Sequence, residues 1–188
     1  MFLLPRAKRS KRGSQLAEFG PALAILVGVV LIPLLDLVVI PVRWMLAQDV
    51  LNDANRRLSQ ADTFSDAIKK MSSYPSVESR LQDLGGIKIQ SLDLQMNIRR
   101  VGGSKLESFR ASAPGEISAV WLPSETNSGL LYTLELDAEL AMSPVILFPN
   151  IGPKIPGLNA PIPVHLHSAH EWENLGKDPV TKQFYIAE

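Results

Sequence analysis

Hydrophobic and polar positions divide this chain into stretches with different periods. From Phe19 to Leu35 the sequence FGPALAILVGVVLIPLL carries no charged side chain over 17 residues. As a helix this run is roughly 25 Å long, just short of a ~30 Å hydrocarbon core. Asp36 then interrupts, and LVVIPV carries the apolar run on to Val42. The segment can end at Asp36 or continue with Asp36 inside it as an intramembrane charge. A lone carboxylate at mid-bilayer is costly and marks a pairing or functional role. A helix entering near Glu18 instead places Asp36 roughly 27 Å further along, close to the opposite interface; this is the preferred reading. Arg43, seven residues on, shares the helical face of Asp36 two turns away. Pro33 and Pro41 each remove an i→i−4 hydrogen bond and predict a kink or local loosening. Pro21 falls in the first turn of a helix starting near Glu18, where proline is better tolerated.

Beyond the apolar run the period becomes that of an amphipathic helix. Ala47, Val50, Leu51, Ala54, Leu58, Ala61, Phe64, Ile68 and Met71 recur at intervals of three and four and predict one continuous stripe. Asp53 and Arg57 form a favourable i,i+4 pair on the polar side, and Ser72-Ser73-Tyr74-Pro75 supplies a stop. Val77–Leu84 reads as a short helix closed by Gly85-Gly86.

The period then falls to two. Ile87, Ile89, Leu92, Leu94, Met96 and Ile98 predict a strand with a bulge near Ser91-Leu92. Gly102-Gly103 offers a turn, Leu106–Ala111 a weaker returning strand, and Ile117–Leu122 another. Leu130, Tyr132, Leu134, Leu136, Ala138 and Leu140 alternate with Thr133, Glu135, Asp137 and Glu139 as the clearest half-buried strand. Residues 143–163 form a long Pro- and Gly-rich connection, and Ile162–Ala169 a last strand. The expected fold class is α+β: a long N-terminal transmembrane and amphipathic helix, then a small antiparallel β-rich domain packed on its C-terminal half. The divisions are a basic leader at 1–13, a spanning segment at 14–42, an amphipathic helix at 43–73 and the β-rich domain at 74–188.

Charge adds an orientation. Arg6, Lys8, Arg9, Lys11 and Arg12 precede the apolar run with no acidic residue, leaving 14 basic against 19 acidic side chains in the remainder. A polybasic stretch directly before a span is the positive-inside signature. It predicts a cytoplasmic N-terminus and an exported remainder, and it accounts for the basic cluster without nucleic acid. A secretory signal peptide is the rival, but its apolar region is shorter and ends in a small-x-small site, which is missing here. Cysteine is absent, which excludes disulfides and thiolate chemistry.

Just before the span, Arg12-Gly13-Ser14-Gln15-Leu16-Ala17-Glu18-Phe19 places a glycine after the basic cluster, a glutamate five residues past it and an aromatic next. This resembles the processing site of type IVb (Flp) prepilins and their associated pseudopilins. The resemblance implies cleavage by a prepilin peptidase between Gly13 and Ser14, with Glu18 fifth in the mature chain and Ser14 N-methylated. A flexible glycine outside the helix suits a protease that binds extended backbone, and a carboxylate at a helix start interacts well with the dipole. In a filament Glu18 could neutralise the α-amino group of a neighbouring subunit. The stretch Leu46–Arg57 (LAQDVLNDANRR) is similar to the one following the span in TadE-like proteins, which narrows the resemblance to the TadE/TadF-like minor pseudopilins of the Tad pilus. A looser similarity covers the last strand and the Pro-rich connection before it. The family implies a non-enzymatic, cofactor-free, single-pass inner-membrane protein with a periplasmic C-terminal domain. Its implied partners are the prepilin peptidase, other pilins and pseudopilins, the Tad assembly platform and the lipid bilayer.

Competing chemistry rests on one cluster. All three histidines fall in one short cluster: His165 and His167 on the last strand, with His170 and Glu171 one and two residues beyond it. His165 and His167 share a face, so a zinc or nickel site is geometrically open, against the reading that they are polar positions on an exposed edge. Ser168 lacks a nucleophile context, and Glu135, Asp137 and Glu139 read as a solvated strand face. Two alternatives therefore stand beside the pseudopilin: a permanently anchored periplasmic binding or scaffold domain, and a metal-dependent anchored enzyme.

Overall fold

The computed structural model describes residues 12–73, 75–101, 107–123, 129–145, 153–157 and 159–188, with side chains from Phe19 onward. Helix α1 (Arg12–Ile25) passes through a π-helical segment (Leu26–Leu31) into α2 (Ile32–Ser59). The wide turn has a local cause. Pro33 has no N–H to donate, and Ile32 N–H bonds the Val27 carbonyl five residues back, so the ladder shifts register just before the proline. Pro41 lies inside α2, which continues on both sides of it. The helix is therefore loosened before Pro33 and unbroken at Pro41, against the expectation of a fault at each.

Helix α2 stops at Ser59, and α3 (Phe64–Ser72) starts afresh. Thr63 caps α3, its hydroxyl accepting the Asp66 N–H at 3.1 Å. The single amphipathic helix expected through Met71 is thus two helices. Its stripe survives as burial: Leu58, Ala61 and Phe64 are in the core, and Ile68 and Met71 pack partly buried against it. After Ser76, whose hydroxyl caps α4 (Val77–Gln82) at Ser79 N–H, the chain turns through Gly85 and Gly86, with φ of 68° and 67°.

Four strands follow: β1 (Ile87–Arg100), β2 (Ser108–Ala111), β3 (Leu130–Met142) and β4 (Ile162–Glu171). They form one antiparallel sheet in the order β2-β1-β3-β4. The β1–β3 register shifts between Ile89 and Ser91, the bulge that the change from odd to even apolar positions predicts. Ile117–Leu122 is not a strand. Ala119–Trp121 forms a 3₁₀ turn there, and Trp121 stacks on Phe109 with ring centroids 5.8 Å apart. Pro114 and Pro123 flank this stretch, and proline supplies no ladder donor.

The core lies between α2 and one face of the sheet. Ala47, Leu51, Ala54 and Leu58 meet Met96, Ile98, Leu134, Leu136, Ala138 and Leu140. The alanines have no side chain beyond Cβ, so the helix backbone can sit close to the strands. Trp172 closes one end, edge-on to Phe64 at 6.4 Å, and its indole N–H donates to the Asn174 carbonyl at 2.7 Å.

Candidate functional site: the apolar helix and its junction with the sheet

One helix, Phe19–Ser59, is long and apolar enough to cross a membrane. Two faces of it serve different purposes. From Ala47 onward one face is buried under the sheet. From Phe19 to Met45 large apolar side chains stand in the open, with Phe19 65%, Val29 68% and Leu37 72% exposed. A surface of that extent marks an interaction site.

The two regions meet at Asp36 and Arg43. Asp36 is only 2% exposed, and its Oδ1 accepts the Val145 N–H at 2.6 Å. Arg43 donates to the Ser143 carbonyl at 2.6 Å. Ser143 N–H in turn donates to the Gly86 carbonyl, and the guanidinium fills the space where a Cβ on Gly86 would stand. The shared helical face expected for Asp36 and Arg43 is therefore the face that clasps the end of the sheet. Beside them Pro33, Leu37, Ile40, Pro41, Pro156, Gly157 and Ile162 line, with Asp36, a cleft of about 400 Å³.

Further along α2 the contacts are polar and specific. Gln48 donates to the His167 carbonyl at 2.9 Å, and buried Asn55 donates to the carbonyls of Leu134 and Ser168. Asp53 takes a 2.7 Å hydrogen bond from Arg80, which with the Arg57 charge holds its carboxyl below the usual range.

Gly13 and Ser14 lie inside α1, which begins at Arg12, so Gly13 is helical and not in an extended lead-in. Glu18 is accordingly more than one turn into the helix, and the argument from the dipole at a helix start does not apply to it. Gln15, Leu16 and Ala17 are good helix formers and extend the helix backwards. Pro21 is likewise inside the helix. The basic cluster of residues 6–11 lies outside the described residues.

The polar face of the sheet also departs from expectation. Glu135 is not solvated: it is buried, with Asn97 donating to Oε1 at 2.6 Å and Arg99 and Arg110 at 3.4 and 3.5 Å from its oxygens. It sits on a central strand, and the arginine stems from β1 and β2 cover it. Asp137 is flanked by His167 Nδ1 at 2.9 Å and His165 Nε2 at 3.4 Å. His170, opposite Leu134, lies on the other face by strand alternation. Among the described residues no group of three or more His, Cys, Asp or Glu is placed to hold a metal ion.

Asn55 went unread in the sequence, and Glu135 was read there as solvated. The signal for Asn55 was its place on the stripe, four residues past Leu51 and three before Leu58. Glu135 carried no such signal, because alternation cannot show which outward positions are roofed over. Comparison of the chain with models of protein families, with curated proteins and with solved structures yields no match.

Proposed function

We propose that the chain is a minor pseudopilin of the Tad (type IVb) pilus type, inserted in the inner membrane with its N-terminus cytoplasmic. A prepilin peptidase cuts it after Gly13, and its N-terminal helix assembles with other pilins and the Tad platform into a pilus or its initiating complex. The carrying observation is that one helix is both the exposed apolar surface at Phe19–Met45 and the spine on which the sheet is mounted. Such a subunit moves between bilayer and filament by exchanging lipid for neighbouring helices, with the folded domain attached throughout. Its role is mechanical and recognitional, and no catalytic step is assigned to it.

Mass spectrometry of the membrane-derived protein tests this. The expected N-terminus is Ser14, and replacing Gly13 is expected to block processing. An N-terminus at Met1, or anywhere beyond the span, overturns the reading. One observation favours the permanently anchored periplasmic scaffold instead. Gly13 is helical, and a protease must first unwind that turn. The scaffold reading expects no cleavage and no effect of Glu18→Ala on pilus assembly.

A further inference from the structure

The Pro- and Gly-rich connection returns to the apolar helix beside its charge-free run. Pro156 and Gly157 face Pro33 and Leu37 across the junction cleft, and a Cβ on Gly157 would stand 3.6 Å from Ile40 Cδ1. Pro33 lies 14 residues past Phe19 and Ile40 lies 21 past it, roughly 21 and 32 Å along a helix. When residues 19–35 fill a ~30 Å hydrocarbon core, Pro33 is inside it and Ile40 is at its border. A turn held against these two residues therefore stands at the outer edge of the core.

Irregular backbone at that depth must satisfy its own polar groups, and this turn does. Asn159 Oδ1 accepts the Ile155 N–H, and its amide donates to the Pro153 carbonyl at 3.0 Å. The Asn159 and Ala160 N–H groups donate to the Ile155 carbonyl, and Gly157 N–H donates to the Ala160 carbonyl at 2.8 Å. Pro156 and Pro161 have no N–H to satisfy. At the start of the connection the Ser143 and Val145 N–H groups are taken by Gly86 and Asp36. The side chains suit lipid as well. Ile155 and Val145 are 47% and 49% exposed and extend the open apolar surface of Leu37 and Val38. Residues 143–163 carry one charged side chain, Lys154, whose stem can lie in apolar surroundings with its ammonium at the headgroups. We infer that Val145 and the turn at 153–160 dip into the lipid on the domain's side of the bilayer, Ile155 among the acyl chains and Lys154 at the phosphates. Protein then covers Asp36 at the depth where lipid would otherwise meet its charge, and the domain is held to the membrane at two points. The inference rests on the membrane-spanning part of the proposed function and not on cleavage or assembly.

The chain has no cysteine, so a single introduced one places a fluorophore at a chosen site. The full chain carrying I155C, V29C in the span, or V180C, where the native side chain is 85% exposed, is labelled and reconstituted in vesicles of phosphatidylethanolamine with phosphatidylglycerol. Quenching is read with iodide on both sides of the vesicle and with phospholipid bearing a nitroxide on its acyl chain. The I155C and V29C probes are expected to lose the iodide quenching that V180C shows and to be quenched by the nitroxide lipid. V145C, beside Asp36, is expected to behave as I155C does and carries the test if I155C does not fold. An I155C probe open to iodide while V29C is shielded overturns the dipping turn alone, as does an I155C probe that neither quencher reaches. A V29C probe open to iodide overturns the membrane reading as well.

Discussion

The side-chain amide of Asn55 donates to the backbone carbonyl of Ser168 at 2.9 Å, and the same nitrogen reaches the carbonyl of Leu134 at 3.0 Å. A fully buried polar group on α2 thus fixes the helix to two strands at once. Asn55→Ala removes both bonds and is expected to destabilise the protein by about 1–3 kcal/mol. Asn55→Asp places a charge against two carbonyl oxygens and is expected to cost more. Denaturant unfolding of the purified chain measures both, and a wild-type midpoint for Asn55→Ala would refute the assignment.

Glu135 gives a second case of a polar group under cover. Its arginine partners are 53% and 64% exposed at the side chain, so Arg99→Ala or Arg110→Ala alone is expected to cost under about 1 kcal/mol. Removing both leaves the carboxylate with Asn97 alone, and the double variant is expected to lose about 1 kcal/mol beyond the sum. A double-mutant cycle on unfolding free energies decides it. Strict additivity would mean that the arginines do not share the charge.

Gly86 and Arg43 are coupled by space. A Cβ on Gly86 would fall 2.5 Å from the Arg43 guanidinium, at a φ of 67° that side chains rarely adopt. Gly86→Ala is therefore expected to destabilise by about 1–2 kcal/mol, partly from the backbone and partly from displacing Arg43. In Arg43→Ala the space is open. Adding Gly86→Ala to that variant is expected to cost less than adding it to the wild type, as read from thermal midpoints.

Tyr132 is buried, its hydroxyl has no partner among the described residues, and burial pushes its pKa up to about 12 from 10.0. A folded-state pKa above the unfolded one means that stability is intact below the unfolded value. It is lost as pH rises from about 10 towards 12. Tyr132→Phe is expected to be neutral or up to about 1 kcal/mol stabilising at neutral pH, and to unfold at a more alkaline midpoint. Circular dichroism across an alkaline titration tests both parts.

Asp53 titrates in the opposite sense. Arg80 holds its folded-state pKa below the ordinary carboxyl value of 3.8, so the contribution is complete above that value. It is lost as pH falls from there through the depressed folded value. The side chains are 40% and 29% exposed, and screening keeps the effect below about 1 kcal/mol. Asp53→Asn is expected to reduce the loss of thermal midpoint between about pH 5 and pH 2. An unchanged acid slope would show that the pair adds nothing.

Periodicity alone determined the long apolar helix, the amphipathic stripe, the alternation of β1 and β3 and the bulge between them. Each is a repeat written locally, since side-chain direction follows from backbone pitch. The paired glycines after α4 were equally legible, because only glycine takes those φ values freely. Tertiary structure decided the rest. It split the stripe at Thr63, where a cap and a turn back onto the core outweighed a helical pattern that fitted either arrangement. It turned 119–121 into a 3₁₀ turn, because a strand needs a neighbour with free backbone groups. It buried Glu135 beneath arginines from two other strands and closed Asp36 under Val145, which lies 109 residues away. Sequence spacing showed that Asp36 and Arg43 share a helical face. What that face touches depended on where the sheet's end comes to rest, and no local pattern encodes that.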